Sequence, residues 1–309
     1  MEIDSQAEYN HFCQLNRPIY FGKSPNENMI LYDFWGTPID CIVNLVCENE
    51  NVEPYMYQKK IINFPIKQNE LPDEDKIIEL IKGLVILITR DSHVLYICCD
   101  KGTDRASLVA GLTYSFLENA HHDSVLNKLS EAYEKRKVKP APVYMKNAKY
   151  KTFMKNTLKP YNFYNSSSFL SNSSPHNVRS SKFNQTFIVA EALFQAYKSP
   201  DDKKYVDKLV KAKSVATIKK YGEEVVLRSD WDTLREEEGF HVKFYCMVDT
   251  LDDKIKSNEQ EWVRTQEEIK IRPVFSYLDK DLWWDSGKEY EGTNALGNAW
   301  RISHIQSMF

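Results

Sequence analysis

The chain is poor in glycine, with ten in 309 residues, and no internal repeat relates its halves. Its six cysteines (Cys13, Cys41, Cys47, Cys98, Cys99, Cys246) follow neither disulfide-scaffold nor zinc-ligand spacing. No window is long and apolar enough to span a bilayer. The N-terminal "MEIDSQAEYNHF" is acidic and polar, unlike a secretory signal. There is no surplus of positive charge: 41 Lys and Arg against 44 Asp and Glu leave a net −3. That excludes a general basic field for nucleic acid while leaving room for a local basic groove. Together these absences predict a protein of the reducing cytoplasm, with no membrane partner and free thiols able to serve as nucleophiles. No metal or cofactor is expected. The abundance of Asn, Lys, Ile and Tyr fits an AT-rich genome, a viral one included, for which the location would be the host cytoplasm.

What is present is an ordinary globular balance, 42% hydrophobic and 28% charged. At roughly 150 residues per domain the length predicts two domains. In the first half strands and helices alternate. "PIDCIVNLVCE", "KKIINFPI" and "HVLYICC" read as apolar strands. "DEDKIIELIKGLVILITR" reads as a helix with acids at its start. Leu108, Leu112 and Phe116 mark one side of a helix after Arg105, and "DSVLNKLSEAYEKRK" reads as another, capped by Asp123 or Ser124. Such alternation implies a mainly parallel sheet flanked by helices. The stretch from Tyr161 to Phe183, rich in Ser and Asn, reads as a linker on composition alone.

Two stretches carry chemistry. In "VLYICCDKGTDRAS" a strand ends at Cys99, Gly102 follows three residues later, and Arg105 comes after five intervening residues at a helix start. Backbone N–H groups of such a loop converge on phosphate oxygens, and the helix end favours thiolate over thiol. Gly102 permits the turn, and the planar fork of Arg105 suits two equatorial oxygens. A plain strand-to-helix turn with buried thiols is the other reading. In the second half, Glu191, Gln195 and Lys198 fall at helical offsets 0, 4 and 7 on one face, opposite Ala190, Leu193, Phe194 and Tyr197. A solvated polar stripe has the same spacing. "DLWWDSGKEYEGTNALG" combines Trp283 and Trp284 with Asp281, Asp285, Gly292, Asn294 and Gly297. That combination suits a pocket that stacks a planar ring and bonds a sugar, or the tryptophan-rich edge of a core.

The cysteine loop resembles the cysteine-dependent protein tyrosine phosphatase superfamily, whose signature is Cys, five residues, Arg. The resemblance implies Cys99 as nucleophile, Arg105 as phosphate clamp and Gly102 as part of the phosphate-binding loop. Cys98 stands where that family usually has His, and Ala106 where it has Ser or Thr. Lys67 and Gln68 occupy the usual place of the acid, with Glu70 and Asp73 behind them. Asp104, beside Arg105, is the better general acid.

The second half resembles the NADAR family over residues 163–309. The motifs are Leu170-Ser171-Asn172, then Glu191, Phe194, Gln195, Ala196 and Lys198 in one helix. Asp230-Trp231, Lys243-Phe244, and Asp281, Trp284, Gly292, Asn294, Leu296 and Gly297 follow. Ala192 replaces an expected His and Asp285 an expected Gly; Arg301 comes early, with His304 nearer the expected offset of a terminal arginine. The resemblance makes "FLSNSSP" the opening of a domain rather than a linker. It implies an N-glycosidase acting on a riboside, with Glu191 and Asp281 as carboxylates, Lys198 gripping phosphate or forming a Schiff base, and Trp284 stacking the base. Asn172, Phe194, Gln195, Trp231 and Asn294 would contact substrate.

The expected fold is thus an α/β phosphatase-like domain over 1–160, followed by a mostly helical α+β NADAR-like domain over 161–309. The expected activity is hydrolysis, of a phosphate ester through a phosphocysteine in the first and of an N-glycosidic bond in the second. The expected partner is a small nucleotide or ADP-ribose-type molecule, with ADP-ribosylated nucleic acid as a further target. A binding module with an inactive phosphatase-like domain, and a protein phosphatase with a NADAR-like targeting domain, remain alternatives.

Overall fold

The computed structural model describes residues 12–15, 18–25, 38–46, 59–135, 145, 147–163, 165–235, 240–276, 283–286 and 293–309. The chain divides into two compact units, Met1–Lys159 with Ile271–Pro273 and Phe309, and Pro160–Lys270 with Val274–Met308.

In the first unit, the three strands expected from apolar runs form as β3 (Cys41–Asn44), β4 (Lys60–Asn63) and β5 (Leu95–Cys99). Two strands unanticipated from the sequence, β1 (Phe12–Gln14) and β2 (Ile19–Lys23), complete a sheet of order β1-β2-β5-β3-β4. All pairings are parallel except β1 with β2. Central β5 is buried at all five positions, as a parallel strand covered on both faces must be. Helix α1 (Glu74–Thr89) begins where Asp73 accepts the Lys76 N–H at 3.0 Å and Glu74 and Asp75 meet the positive helix end. It buries Ile77, Ile81, Leu84 and Val85.

Helix α2 (Arg105–Glu118) is buried from Arg105 through Phe116, the signature of a helix enclosed on all sides, and stops at left-handed Asn119. Helix α3 (His122–Glu134) starts earlier than its sequence suggests. His121 Nδ1, rather than Asp123 or Ser124, caps it by accepting the Asp123 N–H at 3.4 Å. Helix α4 (Ala148–Thr157), capped by Asn147, had no clear sequence signal.

In the second unit, β6 (Tyr161–Phe163) pairs in parallel with β11 (Val274–Ser276) across more than a hundred intervening residues. Antiparallel pairs join β7 (Val178–Arg179) to β8 (Thr186–Phe187) and β9 (Leu234–Arg235) to β10 (Phe240–His241). Helices α5 (Ala190–Ala196), α6 (Lys203–Lys211), α7 (Val215–Glu224), α8 (Val242–Ser257), α9 (Glu259–Ile269) and α10 (Ala295–Gln306) supply most of the core. The Ser- and Asn-rich stretch is no linker: Phe169 and Leu170 are buried in that core with Leu193, Phe244, Leu251 and Trp300. Among the described residues no helix is long and apolar enough to cross a membrane.

Candidate active sites

In the first unit Cys99 closes β5 and Arg105 opens α2, so the sheet and the buried helix hold the two ends of the loop. The loop's carbonyls are engaged from outside. Cys98 O accepts from the Leu45 N–H (2.9 Å) and Cys99 O from the Ser24 N–H (2.8 Å). Gly102 O accepts from the Tyr133 hydroxyl. Thr103 O accepts from the Ser107 hydroxyl (2.6 Å) and the Met145 N–H (3.0 Å). Among the described residues, none of the N–H groups from Asp100 to Arg105 donates to a protein acceptor. Unpaired N–H groups gathered at a helix start form an anion cradle.

Gly102 shapes the cradle from its outer side. Its φ is +66°, and a Cβ there would lie 2.3 Å from both Gly22 C and Lys23 N. Side chains at this residue are excluded by the β2 backbone, and Gly102 does not line the cavity. Its role is conformational.

Arg105 is anchored through Nη1 to Ile66 O (2.7 Å) and Leu45 O (3.3 Å). Cys99 and Arg105 are buried, yet both line a cavity of about 30 Å³ with Gln68, Asn69, Lys101, Asp104 and Tyr150. Asp104 is on this wall, its Oδ1 accepting the Asn147 N–H at 3.0 Å, while the Asn147 amide donates to Asn69 Oδ1 at 3.3 Å. Of the fallback acids, Asp73 is spent on the α1 cap and Glu70 sits in a surface pair with Lys67; neither lines the cavity. Tyr150, bonded to Glu70 O at 2.9 Å, has its hydroxyl pKa raised by burial, against the pull of Arg105. Burial, with a smaller push from Cys99, drives the Cys98 thiol up to about 12. Cys98 is therefore a packed thiol and no nucleophile.

In the second unit α5 carries Glu191, Phe194 and Gln195, and Lys198 follows one turn on. All four line one cavity of about 460 Å³, with Asn172, Trp231 and Trp284. The polar stripe read from spacing therefore lines a cavity. The Glu191 N–H donates to Asn172 O at 2.9 Å, tying the "LSN" segment to the start of α5. Gln195 Nε2 donates to Glu191 Oε1 at 2.8 Å, which orients the carboxylate. Lys198 Nζ donates to Gly222 O at 2.8 Å. Burial lowers the Lys198 pKa, and the nearby Glu191 and Glu223 push it partly back. Gly222 lets α7 close on α5: a Cβ there would lie 1.9 Å from Gln195 Oε1.

The aromatic part is built around Phe194, 5.5 Å from Trp231 and 5.3 Å edge-on to Trp284. Opposed rings of this kind present faces and edges to a planar base. Lys243 also lines the cavity; its ammonium bonds Asp232 at 2.8 Å and lies 4.5 Å from the Trp283 ring centre.

Asn294, expected to contact substrate, does not line the cavity. It is buried at the α10 start with φ +52°, its amide donating to Val274 O (2.9 Å) and its Oδ1 accepting the Ser276 N–H (3.0 Å), so it splints β11. Asp281 and Gly292 lie outside the described residues. Among the described residues Asp285 joins Glu191 on the cavity wall, buried and accepting from the Ser276 hydroxyl. Its sequence signal was the tryptophan pair directly before it, obscured because the resemblance expects glycine there. Lys219 and Glu223, one turn apart on α7, join the wall without any sequence signal. Arg301 and His304 are buried in α10 away from this cavity.

No family model matches the chain, and no curated protein matches it. Solved structures similar to it include the Escherichia coli protein YbiA, of the NADAR family, at 22% identity over 49% of this chain and 86% of that one, with a TM-score of 0.42. They also include Tk-PTP in its active form, at 18% identity over 48% of this chain and 96% of that one, with a TM-score of 0.38. OH1 from the Orf virus, described as a tyrosine phosphatase, matches at 15% identity over 46% of this chain and 83% of that one, with a TM-score of 0.36.

Proposed function

We propose that the chain is a hydrolase with two centres, one cleaving the N-glycosidic bond of a riboside and one removing a phosphate. The observation that carries the first is the convergence of Glu191, Gln195, Lys198, Asp285 and three aromatic rings on a single cavity. Breaking a ribose C1–N bond leaves positive charge at C1 and a base nitrogen that needs a proton. Glu191, held through Oε1 by Gln195, takes a proton from the attacking water with its other oxygen, and water adds to C1. Asp285 stabilises the developing charge. Lys198, made more acidic by burial, protonates the departing base. Trp231, Phe194 and Trp284 hold that base. The substrate class is a nucleotide or ADP-ribose-type riboside, free or attached to a nucleobase.

The second centre is supported by the unpaired N–H groups of the Cys99–Arg105 loop. The Cys99 thiolate attacks phosphorus, the P–O ester bond breaks, and Asp104 protonates the departing alcohol. Water then hydrolyses the phosphocysteine, releasing inorganic phosphate and the thiolate. A cradle that holds phosphate without turnover is favoured by one observation, Ala106 in place of the hydroxyl that would help the thiolate leave.

The test incubates the protein with a panel of nucleotides and ADP-ribosides and measures free base by mass spectrometry. Wild type releases base and Glu191→Gln does not; no release from any riboside overturns the first centre. Hydrolysis of p-nitrophenyl phosphate, abolished by Cys99→Ser, tests the second, and hydrolysis that survives that change overturns it.

A further inference from the structure

Lys254, in α8, is fully buried, and among the described residues no carboxylate pairs with it. Its ammonium donates to Phe169 O, to Ser171 O (2.8 Å) and to Ser174 Oγ (2.8 Å). The Phe169 ring centre lies 4.7 Å away and that of Trp300 5.6 Å. The four carbonyls of residues 169–172 are all engaged by groups outside the segment. Phe169 O and Ser171 O take Lys254, Leu170 O takes the Trp300 indole N–H (2.7 Å), and Asn172 O takes the Glu191 N–H (2.9 Å). Ser171, Asn172 and Ser173 line the cavity that holds Glu191, and Lys254 does not.

An isolated ammonium taken out of water is costly, and a core of this kind is more stably filled by an apolar side chain unless the charge holds something in place. Here it holds main-chain carbonyls of an irregular segment, groups that no apolar side chain can satisfy. We propose that Lys254 is the positioning residue of the cavity, clamping the Phe169–Ser174 segment so that its inner face and the start of α5 keep their substrate-ready arrangement. The inference rests on the cavity being the substrate site.

The clamp is sensitive to protonation. A protonated lysine has a donor for each of its three acceptors and leaves the Ser174 hydroxyl free to donate to Ser171 O at 2.8 Å; a neutral amine keeps donors for the two carbonyls only, and Ser174 must then turn its hydrogen to the amine and give up that bond. Burial brings the Lys254 pKa down to about 7, so both forms occur near neutrality. The titratable group near it is His176, just beyond the clamped stretch, whose protonation is suppressed by burial and then by Lys254 itself. Neighbouring Asp253 is turned away, accepting the Ser181 N–H at 2.9 Å.

The experiment is amide hydrogen exchange on the full chain, corrected for intrinsic pH dependence, with ADP-ribose affinity read from tryptophan fluorescence. In wild type, protection of residues 170–174 and of the Glu191 amide falls at least threefold as pH rises from 6 to 8, while α9 does not change. In Lys254→Met the same amides exchange at least tenfold faster at pH 6, α9 stays protected, and ADP-ribose binds at least tenfold more weakly. Protection independent of pH in wild type overturns the protonation dependence, and a Lys254→Met protein with unchanged segment and affinity overturns the clamp. Should Lys254→Met not fold, Ser174→Ala, which removes one of the three acceptors, decides: faster exchange at residues 170–173 with α9 unchanged supports the clamp, and unchanged exchange overturns it. Because exchange is read without ligand, a failed clamp is distinguishable from a failed glycosidase reading, which the base-release assay decides.

Discussion

Replacing Gly102 with alanine tests the cradle more sharply than removing a catalytic atom, because it asks whether the loop's shape is imposed by its neighbour strand. Two penalties are visible. The backbone has φ +66°, and holding a non-glycine residue in the left-handed region costs roughly 1–2 kcal/mol. The added Cβ would sit 2.3 Å from Gly22 C and Lys23 N, both backbone atoms that no rotamer change can move. Overpacking of this kind costs about 1–3 kcal/mol as β2 shifts. The sum is roughly 2–5 kcal/mol, which at about 2–4 °C per kcal/mol for a unit of this size lowers its melting transition by roughly 4–20 °C. Calorimetry of the full chain reads this, and Gly83→Ala identifies the transition. Gly83 lies inside α1 with nothing within 4 Å of a Cβ, so alanine there stabilises the same unit by about 0.5–1 kcal/mol. Gly102→Ala also displaces the amides that face the anion, so p-nitrophenyl phosphate hydrolysis falls at least tenfold. A Gly102→Ala protein melting within 1 °C of wild type with full hydrolysis would refute the reasoning.

Asp104→Asn lowers phosphate-ester hydrolysis by about 10²-fold or more, the usual contribution of a positioned acid, and the loss is smallest for p-nitrophenol, a leaving group that barely needs a proton; equal loss for all esters removes Asp104 as the acid. Asp285→Asn lowers kcat for base release at least 10²-fold with little change in KM; an unchanged kcat assigns the second carboxylate elsewhere. Since burial lowers the Lys198 pKa, its acidic form is lost at lower pH than for a free lysine. The alkaline limb of kcat for base release therefore begins below pH 10.5, the ordinary lysine value, and moves upward in Lys198→Arg; a limb that Lys198→Arg leaves in place excludes Lys198 as the proton donor. Alkylation by iodoacetamide at pH 7.5, mapped by mass spectrometry, spares Cys98, whose thiol burial pushes up to about 12; labelling at Cys98 contradicts its buried placement.

Much of this was legible in the linear chain because the relevant rules are local. The apolar runs around Cys41–Asn44 and Leu95–Cys99 announced buried strands, and the acids before Ile77 announced a helix start. The strand, glycine and arginine around Cys99 lie within one loop, and the offsets of Glu191, Gln195 and Lys198 lie within one helix and its end; spacing alone sets which way such groups point. Short strands such as β1, β2 and β7 were missed, since two to five residues carry too little pattern and their pairing depends on distant partners.

What the amino-acid order determined by itself was therefore the local grammar: which residues alternate, which end a strand, which share a helical face. What only the folded chain decided was occupancy at a distance. Asp285 faces the cavity while Asn294, nine residues on, is consumed by β11, and Lys254 clamps carbonyls about eighty positions before it. The physical reason is that a side chain's role is set by which unsatisfied polar groups it meets, and those meetings are made by long-range packing rather than by sequence neighbours.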